Sequence, residues 1–325
     1  MTELSQMPNE VILNISPYLH PSTLIDFTCL CKRHYALSTK FLKKHKELQA
    51  KYLEISDRCS STVPTILREI PLDPRLAWYI RRLIVYERTS WKFWEEYGGR
   101  DCSSDLRTLA VRLPEWRSFL SIEDLRLFRE ALQWLPLKQA TTLAGQIEQG
   151  GDDPLKLLLA YLAPNIETLV VTAYDYIGQD NSFVKDLSDL LSIVAHMPKG
   201  NRPACFKMLS RVHLNHWVQR RSSVEQMEFP FRTLVPFLTL PALETLYVGV
   251  GGFKGYGNYP EHQWEFETCS SAIKTLGLAM MDLDGNGDEP GQRDCKQAQT
   301  KLLRLSADTL ETIQLGPGHN QCCLP

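Results

Sequence analysis

The chain has 325 residues, of which 43% are apolar and 23% are charged, and its formal net charge is −2. This composition is typical of a globular protein with enough apolar residues for one large domain or two modest ones. The nearly balanced charge argues against a dedicated nucleic-acid binder or a protein that binds acidic membranes, because both usually carry a basic excess.

The sequence shows no targeting or membrane-spanning segment. No apolar run approaches the ~18 to 20 residues that a transmembrane helix needs, and the start, MTELSQMPNE, lacks the features of a signal peptide. The nine cysteines are scattered and never spaced C-x-x-C, which argues against a zinc site or a disulfide framework. We therefore expect a cytoplasmic or nuclear protein without a metal or other cofactor.

Three helices are predicted in the first fifty residues. The stretch NEVILNIS (9–16) favours a short helix that Pro17 should kink or end, because proline lacks an N–H and clashes with the preceding turn. A second helix is expected to begin with Ser22 as its N-cap. On this helix, residues spaced by three or four share one face: Leu24, Phe27, Leu30 and Cys31.

A third, longer helix is predicted over RHYALSTKFLKKHKELQAKYLE, residues 33–54. Its apolar stripe is expected to consist of Tyr35, Phe41, Leu42, Leu48 and Tyr52. Its solvated side is expected to carry the basic run Lys40, Lys43, Lys44 and Lys46. Three such helices carry more apolar surface than they can cover among themselves, and an exposed apolar patch usually marks a binding surface.

The same residues resemble the F-box family. The agreement covers about residues 4–45 and follows the order Pro8, Glu10, Val11, Ile15, Tyr18 and Leu19, then Leu24, Phe27, Leu30, Cys31, Lys32, Arg33 and Tyr35. Two positions depart from the family pattern, since Met7 replaces the usual leucine and Pro17 lies within the first helix.

The F-box resemblance implies docking onto the Skp-type adaptor of a cullin–RING ubiquitin ligase. It further implies that the adaptor-binding residues are Pro8, Val11, Ile15, Leu19, Leu24, Phe27, Leu30 and Tyr35. The alternative is that the three helices form an N-terminal cap on the rest of the chain.

A six-residue pattern, apolar-x-x-apolar-x-apolar, recurs through the remaining sequence and predicts short strands. It occurs as IRRLIV (80–85), IETLVV (166–171), LSRVHL (209–214), LETLYV (243–248), IKTLGL (273–278) and LETIQL (310–315), with LRTLAV (106–111) as a further candidate. Apolar helical stretches precede several of them, such as DDPLKLLLAYLAPN (152–165). A helix, a break and a short strand in repetition are typical of a solenoid.

This part of the chain resembles the leucine-rich-repeat proteins in an irregular form, with repeats longer than the ~20 to 29 residues of regular members. The expected fold is α+β overall, an N-terminal three-helix F-box followed by an irregular α/β leucine-rich-repeat-like solenoid. The expected domains are an F-box over 1–50, a linker or helix extension over 51–62 and the repeat-like domain over 63–325. The alternative is a compact α/β domain with unrelated strands.

Candidate target-binding residues lie on the strands and on the loops that follow them. In a solenoid of this kind, alternate strand residues face outward, and arginines and aromatic residues dominate recognition surfaces. The candidates are Arg211, His213, Trp217, Arg220, Arg221, Tyr247, Phe253 and Tyr256.

Two loops imitate ligand-binding motifs. DLDGNGDEPGQR (282–293) begins like a calcium loop but has Arg293 where a bidentate carboxylate is required. GVGGFKGYG (249–257) has Lys254 where a dinucleotide-binding loop needs its third glycine. The pair His213 and His216 lacks an evident carboxylate partner, so no metal site is expected there.

The expected function is therefore the substrate-recognition subunit of a cullin–RING ubiquitin ligase, with no catalysis of its own. Its expected partners are the Skp-type adaptor with the ligase core and an unknown protein target, without nucleic acid or membrane. One alternative is an F-box scaffold or regulator that acts outside the ligase. Another is an enzyme that uses the glycine-rich or the aspartate-rich loop.

Overall fold

Helices and a parallel sheet make up the protein in a computed structural model. The structure describes residues 7–59, 61–87, 120–137, 140–149, 151–174, 183–198, 200, 202–217, 231–249, 273–280, 303–304 and 306–317. In these ranges no helix is both long enough and apolar enough to cross a membrane.

Three α-helices form the N-terminal part of the chain: α1 (Asn9–Ile15), α2 (Pro21–Cys29) and α3 (Lys32–Tyr52). As predicted, α1 ends before Pro17, which lies in a 3-10 helix over Ser16–Tyr18. The predicted cap at Ser22 is wrong, because Ser22 is the second helical residue of α2. Pro21 is the first helical residue, where its fixed φ suits the helix and its missing N–H costs nothing. The N-cap is His20, whose Nδ1 accepts the backbone N–H of Ser22 at 3.3 Å.

The buried face of α3 is more polar than the apolar stripe predicted for it. Its buried residues are His34, Ser38, His45 and Tyr52, whereas Tyr35 is exposed and Phe41, Leu42 and Leu48 are half-buried. The four lysines of the basic run are exposed, as predicted. The helix therefore packs through polar contacts that hydrophobic periodicity does not reveal.

In the described part of the chain, seven strands form one parallel sheet in which the strands follow the order of the sequence. They are β1 (Glu54–Ser56), β2 (Arg82–Glu87), β3 (Thr168–Tyr174), β4 (Arg211–Trp217), β5 (Thr245–Gly249), β6 (Thr275–Met280) and β7 (Thr312–Pro317). In each of the six predicted hexapeptides that fall in the described ranges, one of these strands begins at the third residue and extends beyond the last. The seventh candidate, 106–111, lies outside the described residues. The strand β1 was not predicted, and it lies inside the segment 51–62 that was expected to be a linker or helix extension.

The strands align without offset. The second residues of the seven strands pair across the whole sheet: Ile55, Leu83, Leu169, Val212, Leu246, Leu276 and Ile313. The first six of these side chains belong to the main hydrophobic core. The first and third residues of each strand point the opposite way, because side chains alternate along a strand. The first and third residues therefore define a second sheet face, which we call the outer face.

In the described part of the chain, helices lie between the successive strands from β1 to β5 and cover the core side of the sheet. They are α4 (Thr62–Leu72), α5 (Ile122–Leu132), α6 (Ala140–Gln149), α7 (Asp153–Leu162), α8 (Phe183–His196) and α9 (Phe231–Leu234), with 3-10 helices over Pro74–Tyr79 and Val235–Thr239. Their apolar residues join the second and fourth strand residues in one continuous cluster. The described chain is therefore a mixed α/β structure with an extended, in-register parallel sheet.

Candidate interaction surfaces

The three N-terminal helices are fixed to one another by hydrogen bonds and by a small core. The Arg33 guanidinium donates to the Asn9 side-chain oxygen at 2.6 and 2.8 Å and to the Met7 carbonyl at 2.6 Å. The Ser16 and Ser38 hydroxyls are 3.2 Å apart. Three apolar side chains are buried between the helices but lie outside the main core: Ile12, Leu24 and Phe27.

The same helices also contact the 3-10 helix over Pro74–Tyr79. The imidazole Nδ1 of His45 is 3.1 Å from the Tyr79 hydroxyl, and burial lowers the pKa of His45. The rings of His20 and Trp78 have centroids 5.0 Å apart, and Arg75 donates to the Pro17 carbonyl. Because α3 leads into β1 after a single residue, Leu53, the N-terminal helices are anchored directly beside the first strand.

The structure divides the predicted adaptor-binding residues into buried and accessible ones. Leu24 and Phe27 are 5% and 9% exposed, so they are not on the surface of this chain. Ile15 and Leu19 are half-buried, and Pro8 is exposed. The large apolar members with exposed side chains are Val11, Leu30 and Tyr35.

Sequence reasoning missed three further exposed apolar side chains in the same helices, namely Leu13, Tyr18 and Ile25. Tyr18 was part of the F-box pattern but was not selected as a binding residue. Twelve large apolar side chains are exposed among the described residues, and six of them lie between positions 11 and 35. We call these six the apolar patch: Val11, Leu13, Tyr18, Ile25, Leu30 and Tyr35.

His34 is a polar side chain buried in the interior of the three N-terminal helices. Its ring stacks on Phe27, with centroids 4.7 Å apart and an interplanar angle of 16°. The side chain is buried, and neither ring nitrogen has a hydrogen-bond partner among the described residues. A buried polar group without a partner reduces stability, because it gives up its hydrogen bonds to water without replacement.

Replacing His34 with leucine is therefore expected to stabilise the protein, by about 1 to 2 kcal/mol, because the unpaired polar atoms disappear. The matched control is His45→Leu on the same helix face, which removes the partner of the Tyr79 hydroxyl and should destabilise the protein. Denaturant unfolding of the three proteins measures both changes. A loss of stability in His34→Leu as large as that in His45→Leu would show that the His34 ring is hydrogen-bonded.

The predicted target-binding residues in β4 and β5 lie on the outer face. Arg211 is the first residue of β4 and is exposed, while the half-buried His213 and Tyr247 are paired neighbours on adjacent strands. Trp217 is the last residue of β4 and pairs with Tyr174. The four remaining candidates lie outside the described residues: Arg220, Arg221, Phe253 and Tyr256.

A buried ion cluster lies beside the carboxyl ends of β1 and β2. The Lys156 ammonium is 2.8 Å from Asp153, 2.9 Å from Asp152 and 3.2 Å from Asp57, and it donates to the Tyr86 carbonyl at 2.9 Å. The Lys156 side chain is completely buried. Burial raises the pKa of Asp153 to about 6, an effect that Lys156 opposes and the other two carboxylates reinforce.

This cluster holds the first turn of α7 against two strands, so its role is structural. Sequence analysis did not identify it. The spacing of the two aspartates before Lys156 is a visible helical signal, but Asp57 is far away in the sequence. In the described ranges, no group of three or more histidine, cysteine, aspartate or glutamate side chains is placed to hold a metal ion.

No protein-family model matches the sequence, and no curated protein matches it.

Proposed function

We propose that this protein is the substrate-recognition subunit of a cullin–RING ubiquitin ligase. In this proposal the N-terminal helices are an F-box that docks the Skp-type adaptor, and the sheet domain holds a target protein. The protein performs no bond chemistry and contributes proximity, because it raises the effective concentration of the target near the ligase. Such a protein would act in the cytoplasm or the nucleus.

The observation that carries this proposal is the apolar patch. Half of the exposed large apolar side chains among the described residues come from one stretch of twenty-five residues. Exposed apolar side chains favour contact with another chain, because association removes their area from water. The separate buried group of Ile12, Leu24 and Phe27 supports the view that these helices form a module with its own small core.

The sheet supports the second half of the proposal. Its strands follow one another in sequence order and register, with helices on one side. This arrangement is what an irregular leucine-rich-repeat-like solenoid would require. The helical contacts to Pro74–Tyr79 suit a rigid receptor, since they would hold adaptor and target at a fixed separation.

The test is co-purification of the full chain with the Skp-type adaptor, using substitutions in place of a deletion. Removing residues 1–45 would uncover Tyr79 and Trp78, and charges at the buried Leu24 and Phe27 would disrupt the module itself. The informative variant combines Leu30→Glu with Tyr35→Glu, whose side chains are 54% and 58% exposed. The matched control combines Leu72→Glu with Ile122→Glu, which are 87% and 82% exposed outside the patch.

We expect the patch variant to lose adaptor affinity by about 100-fold or more while its melting temperature stays unchanged. The control variant should bind like the original chain. Equal binding by both variants, or a chain that stays alone when expressed with the adaptor, would rule out the proposal in favour of an N-terminal cap. Adaptor binding without cullin assembly would instead identify a scaffold that acts outside the ligase.

A further inference from the structure

The amino-terminal half of the outer sheet face brings together basic, hydroxyl and aromatic side chains from distant parts of the sequence. The first residues of β2 to β7 align as Arg82, Thr168, Arg211, Thr245, Thr275 and Thr312. The third residues align as Ile84, Val170, His213, Tyr247, Gly277 and Gln314. Residues two apart in a strand share a face, so these two rows lie side by side.

An aromatic ledge, formed by His213 and Tyr247, lies in the second row. The two rings have centroids 5.9 Å apart and an interplanar angle of 32°. The Tyr247 ring extends over Gly277 on the next strand, where an added Cβ would lie 2.2 Å from its Cδ2 atom. Only a residue without a side chain at position 277 permits this ring position, so the ledge depends on Gly277.

Two arginines lie beside the ledge in the first row. Thr168 separates Arg82 from Arg211, which places their backbones about 10 Å apart at the usual strand spacing. Arg211 is exposed. Arg82 contacts Glu54 through Nη1 at 3.1 Å, but its buried Nε has no hydrogen-bond partner among the described residues.

Among the described residues, no carboxylate pairs with Arg211, so its positive charge is not offset. The nearby glutamates pair with other cations: Glu54 with Arg82 at 3.1 Å, and Glu167 with Arg81 and Glu244 with Lys274, each at 2.9 Å. The pKa of His213 is lowered by burial and then by Arg211 and Arg82. The electrostatic environment of the ledge therefore favours an anion.

We propose that this surface binds an anionic side chain, a carboxylate or a phosphate, carried by an extended peptide of the target protein. The anion lies between Arg211 and Arg82, and the neighbouring peptide atoms pack on the His213–Tyr247 ledge. Guanidinium groups suit this role because their planar donors match the oxygens of both anions. A peptide fits better than nucleic acid, because the chain has a net charge of −2 and nucleic-acid binders usually carry a basic excess.

The assignment of this peptide to a ligase target rests on the proposed function, but the binding site can be tested without the adaptor. The probes are three peptides, acetyl-Gly-Gly-X-Gly-Gly-amide, in which X is phosphoserine, glutamate or serine. They are added to the full chain, and the His213 ring resonances are followed by NMR across a pH range. His213→Gln identifies the His213 signals among those of the eight histidines.

We expect the anionic peptides to bind and to raise the pKa of His213, because a nearby anion stabilises the imidazolium form. The serine peptide should do neither. Binding of phosphoserine alone would identify a phosphate site, and equal binding of glutamate would identify a general carboxylate site. Arg211→Gln, an exposed position, should weaken anion binding about tenfold.

Gly277→Ala should also weaken binding, because the new Cβ displaces the Tyr247 ring. Its control is Gly145→Ala in α6, where an added Cβ meets nothing within 4 Å. The control for Arg211→Gln is Arg304→Gln, at an exposed position outside the outer face. Undiminished binding to Arg211→Gln, or no binding with a Kd below about 10 mM, would overturn the proposal. Either result would leave adaptor docking through the apolar patch untouched, so the two proposals fail separately.

Discussion

Replacing Lys156 with methionine should destabilise the protein by about 3 to 5 kcal/mol, because a buried ion cluster loses the ammonium that contacts its three aspartates while their carboxylates stay buried. The ammonium contacts three aspartates and one backbone carbonyl. Asp57 follows β1, the carbonyl belongs to Tyr86 in β2, and Asp152 and Asp153 lie at the start of α7. Methionine fills a similar volume, so the expected loss reflects charge and hydrogen bonding and not a cavity. Unfolding in denaturant measures the change in free energy.

The control for this substitution is Lys274→Met. Its ammonium contacts Glu244 at 2.9 Å, but both side chains are about half exposed, and an exposed ion pair contributes little. A second variant, Lys156→Met with Asp153→Asn, should recover part of the lost stability, because it removes one of the uncompensated charges. A Lys156→Met protein as stable as the Lys274→Met protein would show that the ammonium is not buried among the carboxylates.

The stability lost in Lys156→Met should also depend on pH. Without the lysine, the pKa of Asp153 should rise further above its value of about 6, because the group that favours its ionised form is gone. A native-state pKa above the unfolded value near 3.9 means that stability falls as the pH rises through the native-state pKa. The difference between the variant and the original chain should therefore be smaller at pH 5 than at pH 8.

Asp186 provides the second large prediction. This residue lies in the first turn of α8 and is only 6% exposed, and its pKa is raised to about 7. Burial is the main cause, followed by the carboxylates of Asp153 and Asp189, while Lys185 opposes the shift. Between pH ~4 and pH ~7 the native state binds a proton that the unfolded state releases, so this group loses its stabilising effect as the pH rises.

Asp186→Asn should therefore stabilise the protein at pH 8 by an amount on the order of 2 to 4 kcal/mol, since asparagine resembles the protonated acid. At pH 4 the variant and the original chain should have nearly equal stability, because the native aspartate is then protonated. Asp26→Asn, at an exposed position of α2, should show no such pH-dependent gain. An Asp186→Asn protein that is less stable at pH 8 would mean that the ionised carboxylate has a cationic partner.

Local patterns in the sequence were sufficient to locate six of the seven described strands. The hexapeptide beginning at Leu243 places Leu246 and Val248 on one side of β5, and both side chains are buried in the main core. The same period-two logic placed His213 and Tyr247 on the other face. Such patterns work because a strand needs only alternating side chains and a helical layer to cover one side. The short strand β1 escaped prediction because three residues after a long helix carry too little pattern.

The accessible part of the N-terminal helices was harder to predict. The F-box resemblance named Leu24 and Phe27 together with Leu30 and Tyr35, but the first two are buried and the last two exposed. Burial depends on the angles at which three helices pack, and spacing along one helix does not specify those angles. The adaptor partner itself stays a prediction, supported by the apolar patch.

The sequence by itself determined the three N-terminal helices, the starts of six of the seven described strands, the alternation of core and outer residues, and a near-neutral chain without a long apolar run. These properties depend on neighbours within one or two turns of chain. Only the tertiary structure decided which polar groups meet: His34 on Phe27, Lys156 between Asp57 and α7, and Arg82 two strands from Arg211. These contacts join residues distant in sequence, and their energies depend on burial and charge proximity, which arise only when the chain is packed.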